Sequence, residues 1–139
     1  MNTRHMGLLG VVMALGIGSA AIAQEAELSV AEIVVGSRGE DGVVTSSPSF
    51  SRAGGVVFCQ VRLENPSREA GSIRIAFERA EGEPAERAAA GTPLEYPARP
   101  RYRTFARTAA SGKAAGSWRC VARTEEGRVL SHADFTVTE

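Results

Sequence analysis

The chain has 139 residues with Lys+Arg 16 and Asp+Glu 16, and it carries two cysteines and two histidines. With Arg4 removed as part of an N-terminal leader, 15 basic residues face 16 acidic ones, a net charge of −1. That balance excludes nucleic acid as a partner of the whole domain, because duplex binders carry a large basic excess; residues 24–139 suffice for one domain with a core of modest stability.

The first 23 residues have the layout of a secretory signal peptide. Arg4 and His5 form a short basic segment, an apolar run extends from Gly7 to Ala21, and Ala21-Ile22-Ala23 is an A-x-A cleavage site before Gln24. The run is too short, and too rich in Gly and Ala, to span a bilayer. No Cys stands at the cleavage site to take a lipid, and no second apolar run follows. The expectation is a signal peptide over 1–23 and a single periplasmic or secreted domain over 24–139, with no membrane span in the mature chain.

Beyond the leader the hydrophobic pattern has period two rather than 3.6. Leu28, Val30 and Val34 alternate with polar or small residues, with Ile33 and Val35 blurring the register. A Gly-rich turn over 36–42 precedes Val43-Val44 and a break at Ser46-Ser47-Pro48. The clearest strand is Val56 to Glu64, with Val57, Cys59, Val61 and Leu63 on one face and Gln60, Arg62 and Glu64 on the other. Asn65-Pro66-Ser67 reads as a turn. Ser72 to Arg79 directs Ile73, Ile75 and Phe77 inward and Arg74 and Glu78 outward. Glu81-Gly82-Glu83-Pro84 breaks that strand, and Pro84 to Ala90 suits a helical turn or a short edge strand equally.

Leu94 to Thr108 carries a third alternation, with Tyr102, Thr104 and Ala106 on one side and Arg99, Arg101, Arg103 and Arg107 on the other. A small-residue loop over 109–116 leads to Ser117–Arg123, where Trp118, Cys120 and Ala122 share a face. After the turn at Glu125-Glu126-Gly127, Val129 to Thr138 closes the domain with Phe135 and Val137 inward. About seven short strands separated by turns predict an all-β, antiparallel β-sandwich of immunoglobulin-like type.

Two cysteines in an exported chain suggest one structural disulfide. Cys59 and Cys120 lie on apolar strand faces, Cys120 beside Trp118, so a bridge between two sheets joins them and all three residues belong to the core. Closing that loop contributes about 4 kcal/mol on the chain-entropy model.

Arg101-Tyr102-Arg103-Thr104-Phe105, Gly116-Ser117-Trp118-Arg119-Cys120, Glu126-Gly127-Arg128-Val129-Leu130 and Phe135-Thr136-Val137 follow one another in the last third. This succession resembles the exported bacterial domain-of-unknown-function 2914 family, with its aromatic-Arg-Thr strand, Gly-x-Trp-Arg strand, acidic-Gly turn and closing Phe-x-Val. Phe50-Ser51 and the strands at 28–35 and 56–65 fit the same layout. The His-x-Trp pair common on the family's middle strand is replaced here by Ile73-Arg74-Ile75-Ala76-Phe77. The resemblance implies a β-rich exported module and brings no catalytic residues with it.

Ser131, His132 and Asp134 invite a hydrolase reading, but on a strand Ser131 points away from the other two, and no Gly-x-Ser-x-Gly elbow is present. His132 and Asp134 lack a third metal ligand. Gly36, Gly39 and Gly42 lack a Walker Lys and a following helix, so a hairpin connection describes them better than a phosphate cradle. No catalytic residue, metal or cofactor is therefore expected.

The remaining surface feature is arginine. Arg99, Arg101, Arg103 and Arg107 share a strand face, and Arg62, Arg74, Arg119 and Arg123 also point outward from their strands. On one sheet they build a basic stripe that grips carboxylates or phosphates bidentately; alternatively they pair across strands with Glu32, Glu64 and Glu78 and keep an edge soluble. Phe58 and Phe105 fall on the same outer faces. The expected function is a non-catalytic binding or accessory module of the cell envelope, recognising a protein or an anionic envelope polymer through Arg99, Arg101, Arg103 and Arg107. The alternative is a structural or self-associating subunit that pairs through an edge strand.

Overall fold

Alternating apolar and polar residues form nine strands in the computed structural model, which describes residues 27–139. They are β1 (Ser29–Arg38), β2 (Val44–Ser46), β3 (Ser49–Ser51), β4 (Val56–Glu64), β5 (Gly71–Arg79), β6 (Thr92–Tyr96), β7 (Arg101–Ala109), β8 (Gly116–Thr124) and β9 (Val129–Thr138). The expected leader and its cleavage site lie outside the described residues. Among the described residues no helix is long and apolar enough to cross a membrane.

The strands make two sheets, one ordered β2-β1-β4-β7 and the other β3-β9-β8-β5-β6. Every pairing is antiparallel except β3 with β9, which is parallel. The expected all-β, two-sheet sandwich is thus present, with more strands than the seven or so anticipated. The additional strands are short pieces flanking Pro48 and the product of one long stretch divided in two. Leu94 to Thr108 is not continuous: the chain leaves β6 at Tyr96, passes Pro97 and Pro100, and enters the opposite sheet as β7. Neither Pro97 nor Pro100 has an N–H to donate to a ladder, so the crossover falls there.

The core is the space between the inner faces. Val57, Cys59, Val61 and Leu63 of β4 meet Ile73 and Ile75 of β5, Cys120 and Ala122 of β8, and Phe135 and Val137 of β9, all of them buried. Each fully buried aliphatic side chain contributes about 1.5–3 kcal/mol relative to exposure. Phe135 receives Phe50 and Phe77 edge-on, with ring centroids at 5.8 and 6.3 Å, the arrangement that ring quadrupoles favour. Cys59 and Cys120 are joined (S–S 2.07 Å, Cα–Cα 6.5 Å), so the expected disulfide ties β4 of one sheet to β8 of the other.

β1 departs from the sequence reading. A bulge between Val30 and Glu32 shifts the register, so that Ile33 and Val35 oppose the inward Val61 and Cys59, and Val34 opposes the outward Gln60. The extra residue of a bulge reverses the face of everything beyond it, which accounts for the blurred alternation.

The segment between β5 and β6 is neither helix nor edge strand. It crosses the outer face of the second sheet as an irregular strap, and β8 carries the buried Val121 and Arg123 beneath it. Its backbone is fastened to the Glu125-Glu126-Gly127 turn by the Arg87 amide, which donates to the Gly127 carbonyl at 3.0 Å. Gly127 has φ +100, and a Cβ there would stand 2.6 Å from the Ala88 nitrogen. Glycine is therefore required twice, by its left-handed backbone and by the closeness of the strap.

Candidate functional site

The two sheets divide the eight arginines expected on one basic surface. Arg62 on β4 and Arg101, Arg103 and Arg107 on β7 share the outer face of the first sheet, whereas Arg74, Arg119 and Arg123 belong to the second. A single stripe of eight is therefore not formed. Arg99 is not on the strand face either: it lies in the Pro97–Pro100 crossover, exposed, with its amide donating to the Pro97 carbonyl at 2.8 Å.

The second-sheet arginines are internal fasteners. Arg123, 1% exposed, donates through Nη1 and Nη2 to the two carboxylate oxygens of Glu78 at 2.6 and 3.1 Å, and through Nε and Nη2 to the Ala85 carbonyl at 3.1 and 2.8 Å. Arg119 Nη2 donates to the Gly82 carbonyl at 2.7 Å. Arg74 Nη1 donates to the carbonyls of Ala89 and Gly91 at 3.3 and 2.9 Å, and its Nε to Glu125 at 3.0 Å. The hydrogen bond from Arg123 holds the Glu78 carboxyl below its usual range, against the opposing effect of burial. Glu125 is held low by the Ser72 hydroxyl and then by Arg74. Cross-strand pairing with Glu78, one of the two roles expected for these arginines, is taken by Arg123 alone of the three; Arg74 pairs instead with Glu125, and the arginine-to-carbonyl bonds that fasten the strap were not foreseen.

The first-sheet face is different. Going along β4 and β7, Glu64 stands opposite Arg101, Arg62 opposite Arg103, Gln60 opposite Phe105 and Phe58 opposite Arg107. Arg101, Arg103 and Arg107 are exposed, and among the described residues no carboxylate comes within 4.0 Å of them or of Arg99. Arg62 reaches Glu32 at 3.7 Å, both about half exposed, a pair that contributes roughly 0–1 kcal/mol. At the centre the rings of Phe58 and Phe105 meet with centroids 5.8 Å apart over the buried Gln60. Arg38 lays its guanidinium 4.4 Å from the Phe105 centroid. Sequence reading had not placed Arg38 here; it comes from the far strand β1, and its reach across the sheet has no local signature. The face thus combines a partly covered aromatic pair with guanidinium groups around it, suited chemically to carboxylates flanking an apolar group.

Trp118 is half-buried rather than a full core residue. It packs on the core with one face, donates Nε1–H to the Ala114 carbonyl at 2.8 Å, and meets Arg79 and Lys113 at 5.3 and 4.9 Å from its ring. Burial lowers the Lys113 pKa. His132 Nδ1 is 3.7 Å from Asp134 Oδ1, while Ser131 opposes the buried Ala122 and His132 opposes Val121 on the other face, so the three do not converge. In the Gly-rich turn Gly39 N–H donates to Val43 O and Gly42 N–H to Gly39 O, both at 3.0 Å; these amides are committed to the β1–β2 hairpin. A cavity of about 570 Å³ opens where β1 and β9 begin, and of the exposed arginines of β7 it touches Arg101 alone.

Residues 81–137 match the family model described as Protein of unknown function (DUF2914). The family resemblance read from the C-terminal strands therefore holds over the strap and β6 to β9. No curated protein matches the chain in sequence. Among solved structures, a β-glucosidase from Kluyveromyces marxianus is similar with a TM-score of 0.47 and 10% identity, over 81% of this chain and 14% of that one. A Niemann-Pick type C2 protein from the Japanese carpenter ant has a TM-score of 0.36 and 10% identity, over 79% of this chain and 90% of that one. The chain thus spans about one seventh of the glucosidase's length.

Proposed function

We propose that this chain is an exported, non-catalytic binding or accessory module of the cell envelope that recognises an acidic partner through the outer face of β4 and β7. The observation that carries this reading is the contrast among its arginines. Arg119 and Arg123 are buried and bonded to the strap or to Glu78, whereas Arg101, Arg103 and Arg107 stand exposed with no carboxylate beside them among the described residues. A buried guanidinium contributes to folding; an exposed row on one strand face, interrupted by Phe105 between Arg103 and Arg107, has its donors free for an external acceptor. The Cys59–Cys120 bridge supports an oxidising compartment, and the separation of Ser131 from His132 supports a non-catalytic role.

The test is capture of envelope components by the immobilised protein across a salt series, with Arg101→Ala/Arg103→Ala as the comparison. Under this reading a partner is retained at low salt, released by moderate salt and lost in the double variant. Capture that is unchanged in the variant removes the arginine face from the function.

A further inference from the structure

We infer that the acidic partner is an extended polypeptide segment that adds as a strand to the free edge of β7. The inference rests on the arginine-face reading above and names its occupant.

A sandwich of two open sheets has four edges, and here they are β2, β7, β3 and β6. Three are blunted. β2 and β3 have three residues each, with Ser47-Pro48 between them. β6 has five and carries Pro93, which supplies no N–H to a ladder. β7 alone is long and free of proline, with nine residues, and among the described residues it pairs only with β4. Its other flank presents main-chain N–H and C=O groups to which no described backbone segment hydrogen-bonds. Such a flank is a template for an incoming strand.

Charge selects which strand. A second copy joined β7 to β7 would set two rows of Arg101, Arg103 and Arg107 side by side on one continuous outer face, and like charges opposite one another destabilise a strand pair. The same arginines favour a strand with acidic residues at alternate positions, which places carboxylates beside Arg101, Arg103 and Arg107. Between the last two, the strand's outward residue falls beside Phe105, whose ring lies under Arg38 and against Phe58; an apolar side chain suits that position. The arginines thus act against self-association while admitting a complementary chain. A polyanionic sugar would satisfy the guanidinium groups and leave the β7 backbone unmatched.

The experiment titrates the purified protein, disulfide intact, with the end-blocked peptide Glu-Thr-Leu-Thr-Glu-Thr-Glu. Two further forms of this peptide carry N-methyl groups on its odd or on its even residues, and polygalacturonate serves as the sugar polyanion. The parent peptide is expected to bind. One N-methylated form should bind like the parent and the other at least about tenfold more weakly, since only one alternation directs its N–H groups at β7. Arg101→Ala/Arg103→Ala should weaken the parent peptide roughly fivefold to tenfold. Equal binding of both N-methylated forms, still dependent on the arginines, overturns strand addition and leaves the arginine-face reading intact. Arginine-dependent binding of polygalacturonate that is tighter than that of the peptide assigns the face to a polysaccharide and also overturns the inference. Absence of arginine-dependent binding by every probe removes both readings.

Discussion

Glu78 of β5 and Arg123 of β8 form a two-pronged ion pair beneath the strap, with side-chain exposures of 17% and 1%. Removing the carboxylate charge leaves a buried guanidinium uncompensated, so Glu78→Gln should destabilise the fold by about 3 kcal/mol. Because the Glu78 pKa is lower in the folded protein than its ordinary value of 4.5, the stabilisation is complete above that value and is lost as pH falls through the lower folded pKa. Urea unfolding of the wild type should therefore weaken on acidification below about pH 4.5, and Glu78→Gln should show a shallower slope in that window. Parallel slopes would show that the pair does not carry the acid sensitivity.

Arginines that look alike in the sequence should separate sharply in unfolding experiments. Arg123→Ala strands Glu78 and releases the Ala85 carbonyl, and should cost about 3 kcal/mol or more. Arg101→Ala, Arg103→Ala and Arg107→Ala should each fall within about 0.5 kcal/mol of wild type. Comparable losses at Arg103 and Arg123 in chemical denaturation would contradict the division into binding and folding residues.

The bridge between Cys59 and Cys120 closes a separation of 61 residues. Cys59→Ala/Cys120→Ala should lower stability by about 4 kcal/mol on the chain-entropy estimate, and reductant should have no further effect on the double variant. Thermal or urea unfolding with and without reductant reads both outcomes.

Gly127 couples the β8–β9 turn to the strap. Gly127→Ala introduces a methyl group 2.6 Å from the Ala88 nitrogen at a φ of +100, and should cost more than about 1 kcal/mol. Because the Arg87 amide bonds to this residue, trypsin should cleave at Arg87 faster in the variant. Unaltered cleavage would mean that the strap is held independently of the turn.

Legibility along the chain followed how local the cause was. The faces of β4 and β8 and the pairing of Cys59 with Cys120 were legible because unbroken alternation fixes which side chains meet the core. β1 misled because its bulge left only a blurred alternation at Ile33 and Val35, which does not say where the extra residue sits, and Val34 consequently lies on the outer face. The division between β6 and β7 did have a marker, Pro97 with Pro100, set inside a pattern that otherwise reads as continuous. The strap was illegible for a deeper reason. Alternation reveals that Arg123 and Arg103 each point away from the core, but not what lies over each face. That depends on partners such as Ala85, 38 positions away from Arg123.

The strap has an evolutionary consequence in its mode of attachment. Arg74, Arg119 and Arg123 grasp it through the carbonyl oxygens of Gly82, Ala85, Ala89 and Gly91, atoms that every amino acid possesses. Most side chains along this stretch can therefore drift without loosening it, except where the backbone is left-handed, as at Gly82 and Gly91. A one-residue insertion or deletion, by contrast, would carry the oxygens out of reach of their guanidinium groups. Across descendants of this chain the strap should be conserved in length while its spelling changes.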